Sequence, residues 1–109
     1  MRRLTVVIPV LNEAAIIVAS LQALEPLRAR GTEVIVADGG SRDGTPELAR
    51  PLADRVVAAP HGRGATMNAG ATFGTGDALV FLHADTRLPD NADTLIASAL
   101  TRRAWQHAC

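Results

Sequence analysis

LTVVIPV, residues 4–10, is a nearly continuous apolar and β-branched run that breaks off at Asn12 and Glu13. A run with so little polar alternation belongs to a strand covered on both faces, the habit of parallel sheets. From Glu13 the spacing changes. Ile17, Leu21 and Leu24 recur at helical intervals, Asn12 serves as N-cap, and Pro26 and Gly31 end the helix. A second short strand, Glu33 to Ala37, leads into the polar turn Asp38 to Gly44. Thr45 and Pro46 then open a short helix to about Arg50, with the threonine hydroxyl as cap and proline at the first helical position.

The same alternation continues to the end of the chain. Val56 to Ala59 reads as a third strand, Gly64 to Phe73 as a helix of small residues, and Ala78 to His83 as a fourth strand. A last helix runs from Asp90 to about Arg103, with Leu95, Ala99 and Arg103 on one stripe and Ile96 and Leu100 beside it. Strands alternating with helices imply right-handed crossovers, hence an α/β fold: a three-layer parallel sheet with its first strand inside. Ligands of such sheets bind beyond the carboxyl ends of the strands. Asn12 and Glu13, Asp38 to Asp43, His61 to Arg63, and His83 to Arg87 all fall at those ends.

The 109 residues suit one domain, with 11 basic and 11 acidic side chains in balance and 48% hydrophobic residues, so nothing marks a nucleic-acid partner. All the basic side chains counted are arginine, and a Walker phosphate loop, which needs lysine, is excluded. Cys109 stands alone, so neither an internal disulfide nor a cysteine zinc cluster can form. The amino-terminal run holds Pro9 and is cut by Asn12 and Glu13, which fits a buried strand better than a signal peptide. No stretch approaches the roughly 20 apolar residues of a membrane span, and a cytoplasmic location, at most peripheral to a membrane, is the default expectation.

The turn DGGSRDGT, Asp38 to Thr45, is the most informative polar segment. Its glycines, Gly40 among them, allow positive φ and close approach of a ligand, and Asp38 can accept hydrogen bonds from a base or ribose. The plainer reading is a tight connection in which Asp43 and Thr45 only cap a helix. A nucleophile elbow would need glycine at Asp43, an EF-hand loop an acid or amide at Gly40, and a Rossmann cofactor site a G-x-G-x-x-G after a strand; none is present.

Four windows together resemble the family 2 glycosyltransferases of the GT-A fold. Pro9 with Asn12 and Glu13 matches P-x-x-N-E, and Asp38 to Thr45 matches D-D-G-S-x-D-G-T. Arg63, Gly64, Asn68 and Gly70 match K/R-G…N-x-G, and His83 to Asp85 matches D-x-D. The resemblance spans residues 4 to 100 and implies a nucleotide-sugar pocket. Pro9, Leu11, Asn12 and Glu13 would line it, Asp38 and Gly40 would meet the base side, and Arg63 and Asn68 would lie near ribose and diphosphate. Asp85 would hold a divalent cation, Mn²⁺ or Mg²⁺. Two positions depart from the pattern: Gly39 replaces the second acid of the D-D pair, and His83 the first acid of D-x-D. His83 then either donates to a ribose hydroxyl, takes a place near Mn²⁺, or is a satisfied structural residue; His61 and His107 read as surface. The string FLHADTRLP is similar to a bacterial branch of the family linked to arsenosugar synthesis.

The implied activity is transfer of a sugar, with inversion, from a UDP- or GDP-sugar to an acceptor. In the family the acceptor-deprotonating acid lies in a second half of the domain, which has no counterpart here. Asp90 and Asp93 favour a helix dipole and are not cast as that base. The tail TRRAWQHAC departs from the family's continuation. The expectation is therefore a single domain over residues 1–109, truncated at its C-terminus, with uncovered apolar surface that favours self-association. A non-catalytic nucleotide-binding fragment is the alternative to a working transferase.

Overall fold

The computed structural model describes residues 3–98. In chain order they form β1 (Leu4–Val10), α1 (Ile17–Gln22), α2 (Glu25–Ala29), β2 (Glu33–Asp38), α3 (Thr45–Ala49) with a 3₁₀ turn at Arg50–Leu52, β3 (Arg55–Ala58), α4 (Arg63–Thr72) and β4 (Ala78–Phe81). Residues 92–98 are helical, and the rest of the expected last helix lies outside the described residues.

The four strands form one sheet in the order β3-β2-β1-β4, and every pairing is parallel. β1 is inside, as its composition requires: Val6, Val7 and Ile8 are fully buried. Alternate side chains of β1 feed the two faces of the sheet. Leu4, Val6, Ile8 and Val10 join Ile17, Leu21, Leu24 and Leu27 in the larger core, while Val7 meets Ile35, Ala37 and Val57 in the smaller one. α4 covers this second face across β1, β2 and β3. It can lie close because Gly70 has no side chain: a Cβ there would sit 2.5 Å from Val7 Cγ1 and 3.1 Å from Ala37 Cβ.

Several local expectations are corrected. The first helix begins at Ile17, not after Asn12, and its N-cap is Ile16 without a side-chain bond. It also breaks near Ala23 and restarts at Glu25, because Pro26 fits the first turn of a helix better than its interior. Thr45 does not cap α3 either; the cap position is Gly44, at φ 90°. β4 ends at Phe81, two residues early; the Leu82 amide still donates to the Val7 carbonyl at 2.9 Å, and the chain then turns at Ala84 and Asp85. In the helical residues 92–98, which the expected last helix includes, Ile96 packs against the core and Leu95 is 53% exposed. The Arg30 guanidinium anchors this segment by pairing with Asp93 at 2.9 Å and donating to the Asp90 carbonyl.

At the amino end of the sheet Glu33 is a buried carboxylate with a full set of donors. The Thr5 hydroxyl donates to it at 2.8 Å and the Thr75 amide at 2.8 Å, with the Thr75 hydroxyl beside them. Burial is the largest single influence on its pKa and raises it, but these bonds and the Arg3 charge together outweigh it and hold the carboxyl below its ordinary range. A depressed folded-state pKa contributes stability above the unfolded-state value, and that stability is lost as pH falls through the folded value. Glu33→Gln should therefore unfold with a flatter acid dependence than the native chain. Glu33→Ala, which strands the Thr75 amide and Thr5 hydroxyl, should cost about 1–3 kcal/mol. Urea titrations between pH 3 and 7 check both.

Candidate nucleotide site

The loop after β1 and the loop after β2 are stitched together above the sheet. Asn12, at φ 55°, is in the left-handed region that asparagine tolerates better than most residues. Its amide donates to Ser41 Oγ at 2.7 Å, and its own Oδ1 accepts the Arg42 amide at 2.8 Å. The Glu13 amide donates to Thr45 Oγ1 at 2.9 Å and the Ala14 amide to Asp43 Oδ2 at 3.0 Å. Asp43 Oδ1 accepts both the amide and the hydroxyl of Thr45. Asp43 is held below its ordinary pKa, first by the Thr45 hydroxyl and then by the amides around it. Asn12, Asp43 and Thr45 thus spend their side chains fixing one loop against the other.

Beside this clasp, at the carboxyl ends of the strands, a cleft of about 240 Å³ is lined by Pro9, Val10, Leu11, Glu13, Gly39, His61, Gly62, Arg63, Thr66 and His83. Whole small-molecule ligands usually take roughly 300–1,000 Å³, so a space of this size holds part of such a ligand. Five of the residues singled out from sequence line it: Pro9, Leu11, Glu13, Arg63 and His83. Asn12, Asp38, Gly40, Asn68 and Asp85 do not. Asn68 is exposed on α4 and Gly40 is exposed at φ 107° in the turn.

Asp38 ends β2 and is 8% exposed. Its Oδ2 accepts the Gly40 amide at 3.2 Å and the Ser41 amide at 3.0 Å, while its buried Oδ1 has no partner. An orphaned acceptor is costly unless a donor reaches it. Arg63 opens α4, and its guanidinium has no hydrogen-bond or ion-pair partner among the described residues. The N-cap of α4 is Gly62, which supplies no side-chain bond, so the first-turn amides remain free where Gly62 and Arg63 face the cleft. Free amides, the positive end of the helix and an unpaired guanidinium suit an anion.

His61, which reads as mere surface in the sequence, is at the cleft wall, with Nδ1 donating toward the Gly39 carbonyl at 3.4 Å. Its place just after β3 was the available signal. The Gly39 departure also has a physical reason. A Cβ there would lie 2.9 Å from Thr66 Oγ1, and that hydroxyl donates to the carbonyls of Pro60, at 2.9 Å, and Gly62, at 2.7 Å. The space an acid would need is taken by Thr66.

Beyond β4, Leu82 and Ala84 turn into the larger core, so His83 and Asp85 emerge together on the other side. His83 Nδ1 donates to Asp85 Oδ1 at 2.7 Å, and the side chains are 46% and 68% exposed. This bond is the first cause of the lowered Asp85 pKa, with the Thr86 hydroxyl contributing less.

A parallel α/β sheet with an anion-suited cleft at its carboxyl edge defines the class of open α/β proteins that bind ligands beyond their strand ends. The family model "Glycosyl transferase family 2" matches residues 5–104, and the chain belongs to that family, with the α/β architecture of its GT-A members. The chain is 38% identical over 109 aligned positions to the succinoglycan biosynthesis protein ExoA of Rhizobium meliloti, covering 91% of this chain and 33% of that protein. It is 35% identical to a PGL/p-HBAD biosynthesis glycosyltransferase of Mycobacterium tuberculosis, covering 84% of this chain and 38% of the relative. Among solved structures, glucosyl-3-phosphoglycerate synthase from M. tuberculosis in complex with Mn²⁺, UDP and phosphoglyceric acid superposes with a TM-score of 0.71 at 32% identity, over 81% of this chain and 34% of that one. The mannosyltransferase PcManGT from Pyrobaculum calidifontis, with GDP-Man and Mn²⁺, gives 0.67 at 30% identity, over 84% and 30%. The chain spans only about a third of the length of the curated relatives it matches. Among the described residues no helix is long and apolar enough to cross a membrane.

Proposed function

We propose that this chain forms the donor-nucleotide site of a glycosyltransferase that moves a sugar from a UDP- or GDP-sugar to an acceptor with inversion. The observation that carries this reading is the uncapped start of α4 with unpaired Arg63 on the cleft, a ready seat for a diphosphate. Pro9 and Leu11 supply the apolar wall, and Asp38 Oδ1 the acceptor for a base N–H.

A divalent cation fits Asp85 only in one mode. Among the described residues no three His, Cys, Asp or Glu side chains form a closed set, so at most two side chains would hold an ion here and the rest of its shell would come from diphosphate oxygens and water. One exposed carboxylate plus phosphates is an ordinary arrangement for Mg²⁺ and its kin. Such an ion offsets charge developing on the leaving diphosphate. Arg63 and the α4 amides hold that group in place. Among the described residues Glu13 is the one carboxylate lining the cleft, and the resemblance assigns it to the nucleotide, which favours a second reading: a chain that binds the donor nucleotide without catalysing transfer.

Calorimetric titration of UDP and GDP tests this reading. Weak binding is expected without metal and tighter binding with Mn²⁺. Asp85→Ala should abolish the Mn²⁺ effect and leave the metal-free isotherm unchanged. Absence of any diphosphate binding would reduce the chain to a structural unit. The isolated chain also carries 39% exposed Leu79 and 43% exposed Phe81 on β4, and self-association is the corresponding expectation. Sedimentation velocity showing only monomer at about 100 µM would contradict it.

A further inference from the structure

We infer that His83 is itself a metal ligand, forming with Asp85 a mixed nitrogen–oxygen pair that makes this site prefer Mn²⁺ to Mg²⁺. The inference rests on the nucleotide-binding reading above and deepens it. Its basis is the placement of the two side chains. Leu82 and Ala84 are held in the core, which fixes His83 and Asp85 on the same outer side of the chain. The turn is closed by the Thr86 amide donating to the His83 carbonyl at 2.9 Å. His83 lines the cleft.

The two candidate donor atoms, His83 Nδ1 and Asp85 Oδ1, are 2.7 Å apart. Ligands on neighbouring corners of an octahedron with bonds of about 2.1 Å lie about 3.0 Å apart. A shift of a few tenths of an ångström therefore converts the hydrogen-bonded pair into a chelating one. Without an ion, the ionised Asp85 can only accept, so Nδ1 carries the proton between them. To bind an ion through Nδ1 the ring would take its other tautomer, with the proton on Nε2 and the Nδ1 lone pair free.

Donor chemistry then sets selectivity. Mg²⁺ favours oxygen ligands in near-ideal octahedra and gives up water reluctantly. Mn²⁺ also binds mainly oxygen, and less strongly to nitrogen than the later first-row ions, but it accepts an imidazole more readily than Mg²⁺ does. An all-oxygen pair of acids would serve either ion; replacing one acid by His83 tilts the site toward Mn²⁺. Asp85 remains the charged anchor, since it has the larger exposure and the carboxylate. His61 lies on the opposite loop of the cleft and is bonded toward Gly39, so it provides an internal control.

The test combines titration with electron spin-echo spectroscopy of Mn²⁺ bound with UDP. Native protein should bind UDP at least tenfold more tightly with Mn²⁺ than with Mg²⁺. Its echo should carry nitrogen modulation that changes on ¹⁵N-histidine labelling. His83→Gln should lose the modulation and most of the Mn²⁺ preference, His83→Asp should bring the two ions close to parity, and His61→Gln should keep both signatures. Absence of histidine modulation in a complex that Asp85→Ala abolishes would overturn the inference and leave the nucleotide site standing. Unchanged Mn²⁺/Mg²⁺ ratios in His83→Gln would do the same. Failure of UDP to bind with either ion would overturn both.

Discussion

Gly70→Val is expected to remove about 3 kcal/mol of folding stability, near the top of the usual range for overpacking. The position is where α4 rests on the sheet. Even the first added carbon would lie 2.5 Å from Val7 Cγ1 and 3.1 Å from Ala37 Cβ. Neither neighbour can withdraw, because Val7 and Ala37 are fully buried in the adjacent parallel strands β1 and β2. Relief requires α4 to lift, which opens the smaller core of Val7, Ile35, Ala37 and Val57. Alanine at this site gains helix propensity worth up to about 1 kcal/mol, yet meets the same contact, so Gly70→Ala should be destabilised by less than valine. Gly64, in the first turn of the same helix, has nothing within 4 Å of a built Cβ. Gly64→Ala should leave stability unchanged or slightly raised. Thermal unfolding reads all three, at about 4–8 °C per kcal/mol for a chain of this size. Equal melting temperatures for Gly70→Val and the native chain would mean α4 does not seat as described. Because α4 also brings Gly62, Arg63 and Thr66 to the cleft, the same substitution should weaken nucleotide binding without touching a ligand contact.

The α/β layering was legible because it follows from local composition. Seven consecutive residues of β1 are apolar or β-branched, and only the interior of a parallel sheet buries both faces of such a run. The run in β2 and the small-residue helix α4 were legible for the same reason. What escaped the sequence were bonds between segments about thirty residues apart. Asn12 and Thr45 each have the composition of a helix cap, yet each is used by the other loop: Asn12 by Ser41 and Arg42, Thr45 by Glu13. No periodicity within one segment records a partner in another. The site divides along the same line. Residues at strand ends, Pro9, Leu11, Glu13, Arg63 and His83, face the cleft because the sheet puts every carboxyl end on one rim. Asn68 is the sixth residue of its helix, on an exposed face, and the motif spacing alone could not show that.

Asp38→Asn is expected to weaken UDP binding about tenfold to a hundredfold while leaving the fold intact. The two carboxylate oxygens have separate duties. Oδ2 accepts the amides of Gly40 and Ser41 and so shapes the turn. Oδ1 is buried without a partner and is the acceptor offered to a base N–H in the proposed reading. Asparagine keeps one oxygen, and the Gly40 and Ser41 amides retain it, because an amide nitrogen pointed at them would set donor against donor. The NH₂ group must then occupy the Oδ1 side, where a ligand N–H would also meet a donor. A lost hydrogen bond to a charged, buried group is worth roughly 1–3 kcal/mol, which gives the stated range. Alanine is the poorer probe, since it also strands two turn amides and confuses binding with folding. Titration of Asp38→Asn with UDP, alongside its urea unfolding curve, separates the two. Unchanged affinity with unchanged stability would show that Oδ1 meets no donor from the nucleotide. Lost stability with unchanged affinity would make Asp38 a turn residue alone and move base recognition to the Pro9–Leu11 wall.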